Sequence, residues 1–282
     1  MPGWLALLTV IASLMGGLGL IRLAGRVFAL PPEVRRKSLH IAMGVVAMTF
    51  PWLFDDAVWV VATCAVGAAT LTALRHPILK SGIGSVVHDV ERGGRGELWF
   101  ALAVACLFAI AGDRPALYVA ALAVLTFADA AAALVGTAWG RSRAALPGKK
   151  SWEGCAAFAL TAVLVCALTL AAAGLSATQA VSVAAVVAIP CTALEAVAER
   201  GSDNLTVPVG AYLLLDSATH IGLDELLVHA IGLFALACLM PAASRLAVRS
   251  CGALTTVLRR YWAGGWSVGP CHRIALAAAA GI

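Results

Sequence analysis

The chain has 282 residues, of which 61% are hydrophobic and 12% charged, and its mean hydropathy is +0.92. Soluble domains carry about 25% charged residues, so the composition excludes an ordinary soluble protein. A net charge of +5 suits a nucleic-acid partner in a soluble chain, but in so apolar a sequence basic residues mark cytoplasmic loops. We therefore expect an integral membrane protein that binds no nucleic acid.

Apolar segments of membrane-spanning length follow one another along the chain. A spanning helix needs roughly 20 apolar residues, and bilayers accommodate shorter ones by thinning. The first segment has no basic residue before it, which is typical of a retained helix rather than a cleaved signal peptide. The predicted spans are 3–25, 38–54, 57–74, 98–112, 115–137, 154–174, 178–198, 204–222 and 226–248. The eighth is interrupted by Pro208, Asp216 and His220, so eight spans are an alternative to nine.

The basic residues are distributed asymmetrically between the loops. With nine spans and the N-terminus outside, the cytoplasmic side holds all of the 20 lysines and arginines except Arg114. This asymmetry is what the positive-inside rule expects. The sequence therefore predicts an all-α, polytopic helical bundle with its N-terminus outside and its C-terminus inside. We expect one membrane-embedded domain over 1–250 and a tail over 251–282 with no recognisable chemistry.

One acidic residue, Asp129, lies inside the fifth predicted span, within the stretch LTFADAAAALVG. An aspartate at membrane depth costs about 2.5–3.5 kcal/mol, so it normally faces the bundle interior and a partner. Gly136 follows on the same helical face, where a small residue lets a helix or a ligand approach closely. The pattern indicates a functional carboxylate, and the alternative is a structural ion pair with a basic residue of the second span.

A basic cluster opens the second span. Arg36, Lys37 and His40 share one helical turn, and a guanidinium grips phosphate bidentately while an ammonium acts as a point charge. The cluster therefore predicts a combined anion site, although topology alone would also explain its charge.

A second cluster, in the stretch GKKSWEG, precedes the sixth span. It is not a Walker phosphate loop, because an arginine occupies the position of that loop's first glycine. Ser151 is placed to cap the following helix, which would leave backbone N–H groups facing an anion beside Lys149 and Lys150. A capped, solvated loop explains the same pattern. The glycines of RGGRGE, before the fourth span, could likewise cradle phosphate or only turn the chain.

Carboxylates lie between the seventh and eighth spans. Glu195 and Glu199 are predicted to share one helical face, and Gly201 is placed to end that helix. Asp203 or Asn204 is then expected to cap the next helix. Carboxylates close to phosphate-suited basic clusters indicate a hydrated Mg²⁺ held between the protein and nucleotide phosphates.

Taken in order, these stretches resemble the CTP-dependent lipid-alcohol kinases, the family of dolichol kinase, phytol kinase and fungal-type diacylglycerol kinase, which is related to the phosphatidate cytidylyltransferases. The resemblance covers about 35–210. The residues that carry it are Arg35, Arg36, Lys37, His40, Gly96, Glu97, Asp129, Gly136, Gly148, Lys149, Ser151, Glu153, Gly154, Glu195, Asp203, Asn204 and Pro208.

The resemblance implies a membrane kinase that transfers the terminal phosphoryl group of CTP to the hydroxyl of a polyprenol, dolichol or phytol-type alcohol, with Mg²⁺ as cofactor and the active site facing the cytoplasm. Such a transfer needs mainly positioning and charge neutralisation. The expected catalytic residues are Asp129, Lys37 and Arg36, and the expected metal ligands are Asp129, Glu195 and Asp203. The expected nucleotide-binding residues are Lys149, Lys150, Ser151, Gly136, His40, Glu153 and Asn204.

Two other functions are open at this point. A phosphatidate cytidylyltransferase that makes CDP-diacylglycerol would use similar residues but release pyrophosphate. An ion-coupled transporter would use Asp129 as a proton or cation site. Transporters usually place such sites near the midplane between inverted repeats, whereas the polar stretches here gather at one predicted face and no repeat is evident.

Overall fold

The computed structural model describes residues 1–74, 96–141 and 150–239. These residues form helices and no β-strand, so the all-α prediction is confirmed for the described part of the chain. Residues 1–238 form one compact unit. Lys149, the glycines of RGGRGE that precede Gly96, and the tail over 251–282 lie outside the described residues.

The helices follow the predicted spans in order. They are α1 (Gly3–Val27), α2 (Pro32–Met48), α3 (Phe50–Leu53), α4 (Ala57–Leu74), α5 (Gly96–Ala111), α6 (Pro115–Ala123), a π-helical turn (Val124–Ala128), α7 (Asp129–Trp139), α8 (Trp152–Ala172), α9 (Ala177–Val197), α10 (Asp203–Ser217) and α11 (223–239). Among the described residues, five continuous helices are long and apolar enough to cross a membrane: α1, α4, the helix Pro115–Trp139, α8 and α9. The chain is therefore a helical membrane protein, and the count of nine spans and the orientation stay predictions.

The outer surface of the bundle is apolar. On α8, Leu160, Leu164 and Leu168 repeat at every fourth position and are 58–73% exposed, while Phe158 and Ala162 on the opposite face are fully buried. A contiguous leucine stripe of this kind would be a liability in water. It suits a helix with one face against lipid and the other against its neighbours.

Two helices form the centre of the bundle. The helix Pro115–Trp139 and α9 bury far more of their apolar length than α1, α4 and α8. Because Asp129 belongs to the first and Glu195 to the second, two ionisable residues lie on the helices that are best shielded from lipid.

A π-helical turn, Val124–Ala128, interrupts the central helix immediately before Asp129. The sequence analysis predicted an uninterrupted helix here. Thr126, within the turn, is fully buried, and a Cβ atom added at Gly44 of α2 would overlap its side chain. A π turn accommodates one extra residue and is frequent at functional sites. Here the turn and Gly44 let α2 approach the central helix closely.

The chain between α9 and α10 differs from its predicted course. Helix α9 ends at Val197, so Glu199 lies beyond it, and the prediction that Glu195 and Glu199 share a helical face is wrong. Ser202, rather than Asp203 or Asn204, occupies the cap position of α10. The helix ends early because the connection is a tight turn in which Arg200 and Gly201 both have positive φ, 55° and 84°.

Candidate active site

Asp129 is buried and paired with α2. The carboxylate accepts a hydrogen bond from Lys37 Nζ at 2.5 Å, and His40 Nε2 lies 3.4 Å from the same oxygen. Asp129 and Lys37 are only 6% and 2% exposed. An ion pair between Asp129 and a basic residue at the start of the second predicted span, which the sequence analysis gave as the alternative to a functional carboxylate, is therefore present, and it offsets the cost of holding each charge away from water.

The predicted anion site on α2 is divided in the structure. Lys37 and His40 face Asp129. Arg36 instead forms a bidentate ion pair with Glu33, in which Nη2 donates to Oε1 at 2.6 Å and Nε donates to Oε2 at 3.1 Å. The sequence analysis missed Glu33. Its spacing of three residues from Arg36, which places both side chains on one helical surface, was the available signal.

Lys150 joins two further carboxylates. Its Nζ donates a hydrogen bond to Glu195 and lies 3.5 Å from Asp203 Oδ2. Burial lowers the pKa of Lys150, but the carboxylates of Glu195 and Asp203 outweigh burial, so that this pKa lies above its usual value. Lys150 therefore carries its positive charge throughout the physiological pH range.

The three carboxylates predicted as metal ligands converge. One oxygen each from Asp129, Glu195 and Asp203 lies within 4.8 Å of the other two, although the residues belong to three different helices. Mg²⁺ prefers oxygen ligands, which is what this group offers. Glu195 Oε2 is buried and has no hydrogen-bond partner within the described ranges, so it is available to a ligand. The residues fit Mg²⁺, and their role as ligands stays a prediction.

Glycines bring α7 and α8 together beside this cluster. A Cβ atom at Gly136 would lie 3.0 Å from Ser151 Oγ, and one at Gly154 would lie 2.9 Å from the carbonyl oxygen of Ala132. Ser151 is the N-cap of α8, as predicted, and its hydroxyl accepts from the Gly154 backbone N–H at 3.1 Å. Gly136 and Ser151 thus contact one another in the described structure, and their nucleotide contacts stay predictions.

Two other predicted residues hold loops in place. Asn204 Nδ2 donates to the carbonyl oxygen of Gly96 at 3.0 Å, and Gly201 packs so closely that a Cβ atom there would lie 2.7 Å from Gly96 Cα. Glu153 Oε1 accepts from the backbone N–H of Arg141 at 3.2 Å. The first residues of α5 and the loop before α10 are therefore fastened to each other.

A second polar cluster lies at the other end of α10. Arg114 donates to Asp216 and, at 2.9 Å, to the hydroxyl of Tyr212. Asp203 and Asp216 are separated by about 20 Å along the helix, at 1.5 Å per residue. Arg114, the basic residue that was predicted to lie on the outer side, is thus far from Lys150 and the carboxylate group.

The fold and the site define a class of protein. A bundle of apolar helices encloses a largely buried group of lysines and carboxylates, which come from α2, α7, α9, α10 and, two residues before α8, Lys150. Lysines that neutralise phosphate beside oxygen ligands suited to Mg²⁺ are the residues that phosphoryl transfer uses. The fold and the residues of the site are those of a helical membrane protein with a group of side chains suited to phosphoryl transfer.

Comparison with known proteins identifies the family. The chain is 34% identical over 229 residues to the phytol kinase of Synechocystis sp., a match that covers 79% of this chain and 95% of that protein. The chain therefore belongs to the CTP-dependent lipid-alcohol kinase family that its motifs resemble. No protein-family model matches the chain, and no solved structure matches it.

Proposed function

We propose that the protein transfers the terminal phosphoryl group of CTP to the hydroxyl of a long-chain isoprenoid alcohol of the phytol type. The observation that carries the proposal is the meeting of Asp129, Glu195 and Asp203 within 4.8 Å, with Lys37 and Lys150 bound to them. The relative named phytol kinase supports an isoprenoid alcohol as the acceptor. CTP as the donor rests on the family.

The carboxylates are assigned to the metal. Asp129, Glu195 and Asp203 would hold Mg²⁺, which when bound neutralises charge on the donor phosphates. The buried Oε2 of Glu195, which has no hydrogen-bond partner among the described residues, is the atom best placed to serve as a ligand without breaking an existing hydrogen bond.

The lysines are assigned to the phosphates. Lys150 is held by Glu195 and Asp203, and Lys37 is held by Asp129, so both ammonium groups are oriented before a substrate arrives. Preoriented charges in a site that excludes water stabilise a transition state strongly, because they need no rearrangement during the reaction. Arg36, whose side chain is 34% exposed, would make a contact nearer the aqueous edge.

Asp129 is assigned to the acceptor hydroxyl as well. In the proposed reaction the alcohol oxygen attacks the terminal phosphorus, the bond from that phosphorus to the CDP oxygen breaks, and the hydroxyl proton passes to Asp129. The products are the lipid monophosphate and CDP. Because the transition state is loose, a weakly basic carboxylate that orients the hydroxyl is sufficient.

The proposed site faces the cytoplasm. The orientation predicted from the loop charges puts the polar stretches on the cytoplasmic side. A site beneath that surface is accessible to both substrates, since CTP is supplied from the aqueous phase and the alcohol from the adjacent leaflet.

The deciding experiment measures which product receives the γ-phosphate of labelled CTP. Purified protein in lipid nanodiscs is incubated with Mg²⁺, a phytol-type alcohol and CTP labelled at the γ-phosphate, with ATP, GTP and UTP in parallel. We expect label in the lipid product and CDP as the other product. Label in pyrophosphate would instead identify a cytidylyltransferase, and cation-coupled uptake into proteoliposomes without nucleotide would identify a transporter.

A further inference from the structure

Lys150 lies between two of the carboxylates that are assigned to the metal. Its Nζ donates a hydrogen bond to Glu195 Oε1 and is 3.5 Å from Asp203 Oδ2. The two acids belong to different helices, α9 and α10, so the ammonium group bridges them as a shared cation would. The same two acids have oxygens within 4.8 Å of each other and of Asp129. Lys150 and a divalent cation would therefore compete for these carboxylates.

The carboxylate oxygens differ in how firmly they are held. Asp203 Oδ1 accepts a hydrogen bond from the backbone N–H of Asn204 at 3.1 Å, whereas Oδ2 has only the longer contact with Lys150 among the contacts of the described residues. Glu195 Oε1 is bound by Lys150, and its Oε2 is buried without a hydrogen-bond partner in the described ranges. Because like charges repel at this range, a cation bound to Asp203 Oδ2 would push the Lys150 ammonium away.

The net charge of this group of side chains would change sign on binding a divalent cation alone. Asp129, Glu195 and Asp203 contribute three negative charges. The ammonium groups of Lys37 and Lys150 offset two of them, so one negative charge is left. A divalent cation would turn it into one positive charge in a largely buried place, where uncompensated charge is costly. Nucleotide phosphates would supply the missing negative charge and would accept hydrogen bonds from lysine.

Lys150 is better able than Lys37 to change partners. The side chain of Lys150 is 24% exposed and that of Lys37 is 3% exposed, and lysine has a flexible four-carbon stem. Ser151, the next residue, is fixed as the N-cap of α8. The Lys150 ammonium can therefore turn from Asp203 to a phosphate without disturbing the start of the helix.

We propose that Lys150 makes the three carboxylates bind a divalent cation only together with nucleotide phosphates. Without phosphate, the ammonium competes with the cation for Glu195 and Asp203. With phosphate, the ammonium moves to the phosphate and leaves both acids to the metal. The inference rests on the proposed function, since it takes the phosphates to be those of the donor nucleotide. Metal and nucleotide then strengthen each other's binding by the same factor, as thermodynamic linkage requires.

The test measures Mn²⁺ binding to the protein in lipid nanodiscs by electron paramagnetic resonance, without nucleotide or lipid alcohol. Lys150→Met should bind Mn²⁺ about tenfold more tightly than the wild type, a usual size for coupling between two sites. Lys150→Gln, which can still donate a hydrogen bond, should show the same gain and guards against misfolding of Lys150→Met. Lys150→Arg keeps the charge and should bind Mn²⁺ as weakly as the wild type.

Arg114→Met is the matched control, because it removes a positive charge from the ion pair with Asp216 at the far end of α10. Its Mn²⁺ affinity should stay within about twofold of the wild type, since distant charges are largely screened. The sign of the Lys150 effect is diagnostic. If Lys150 only held the acids in position, its loss would loosen the site and weaken Mn²⁺ binding, and that result would overturn the inference.

A second titration adds CTP and corrects for the Mn²⁺ that free CTP binds. The wild type should bind Mn²⁺ about tenfold or more tightly with CTP than without it, and Lys150→Met should lose most of this difference. If the wild type shows the coupling but transfers no label from CTP to lipid, the proposed function fails and the inference stands. If the wild type is an active kinase and the uncharged Lys150 variants bind Mn²⁺ no more tightly than it does, the inference fails and the proposed function stands.

Discussion

Lys37 Nζ donates to Asp129 Oδ2 across 2.5 Å, although the two residues are 92 positions apart in the sequence. Both side chains are almost completely buried. The pair connects the first turns of α2 to the start of α7, where the π-helical turn ends. It thereby places a cationic residue and an acidic residue at the centre of the bundle, and each of them depends on the other for its charge compensation.

We expect Asp129→Asn to abolish phosphoryl transfer while the protein still inserts into the membrane, since removing a charge eases insertion. Because the substitution leaves Lys37 without its partner, the melting temperature of the variant should fall. Breaking a buried ion pair lowers the free energy of unfolding by about 3–5 kcal/mol. Adding Lys37→Met should restore much of that stability and no activity. Asp216→Asn, in the distant cluster with Arg114, is the control and should remain active. Turnover by Asp129→Asn at the wild-type rate would contradict the assignment.

Lys37→Ala should raise the apparent KM for the nucleotide more than that for the lipid alcohol, because an ammonium contact to phosphate is lost. The ion pair adds a second expectation, a lower kcat, since Asp129 would lose the group that orients it. Steady-state kinetics with each substrate varied in turn separate the two effects. A larger rise in KM for the lipid would argue against a phosphate contact.

Removal of divalent cations should abolish activity, and Mg²⁺ should restore it. Glu195→Gln and Asp203→Asn should each increase the Mg²⁺ concentration needed for half-maximal rate, by about tenfold or more, because outer ligands and direct ligands both affect metal affinity on this scale. Binding of Mn²⁺, followed by electron paramagnetic resonance, measures the same loss without turnover. Wild-type Mn²⁺ affinity in both variants would exclude these carboxylates as ligands.

Gly44→Val should lower both stability and activity. Its side chain would overlap Thr126 in the π-helical turn, and overpacking of this kind typically costs about 1–3 kcal/mol. The displacement would separate Lys37 from Asp129. Gly16→Val, at an α1 position where a Cβ atom meets nothing within 4 Å, is the control for glycine replacement in a helix. Thr126→Ala in combination with Gly44→Val should recover part of the melting temperature, and an unchanged Gly44→Val protein would refute the close contact.

Lys150 predicts a specific dependence of stability on pH. Its pKa in the folded protein is raised above the ordinary value of 10.5, so its contribution to folding is complete below about pH 10.5 and is lost as the pH rises through the folded-state pKa. The difference in melting temperature between the wild type and Lys150→Met should therefore be constant from pH 7 to 10 and shrink above that range. Lys150→Arg keeps its charge and should show no such decrease. A difference that grows with pH would have the wrong sign.

The sequence predicted the helices well because hydropathy and charge record which segments must avoid water. Each predicted span holds a helix, and Asp129 was recognisable because a carboxylate among alanines and leucines is expensive. The sequence allowed Asp129, Glu195 and Asp203 to be grouped, because each lies near the predicted cytoplasmic end of its own span. Their convergence within 4.8 Å in the structure agrees with that grouping.

Pairing and local backbone geometry were not predictable in the same way. Nothing in the sequence states that Lys37, and not its neighbour Arg36, binds Asp129, because adjacent residues on a helix point in different directions and packing decides between them. The π-helical turn has no sequence signature, and the early end of α9 depends on positive φ at Arg200, which is uncommon for a residue with a side chain. Glu199 was misplaced for this last reason.

The π-helical turn also makes the central helix sensitive to length. Successive residues of an α-helix differ by about 100° around the axis, and a π turn accommodates one residue more than regular α geometry does. Deleting one residue between Val124 and Ala128 should therefore let the turn relax to α geometry and leave Asp129 facing α2 nearly as before. Inserting one further residue beside the turn would instead rotate every later side chain relative to α2, so that Asp129 would face a different neighbour and the two halves of the candidate site would separate although each half keeps all of its amino acids.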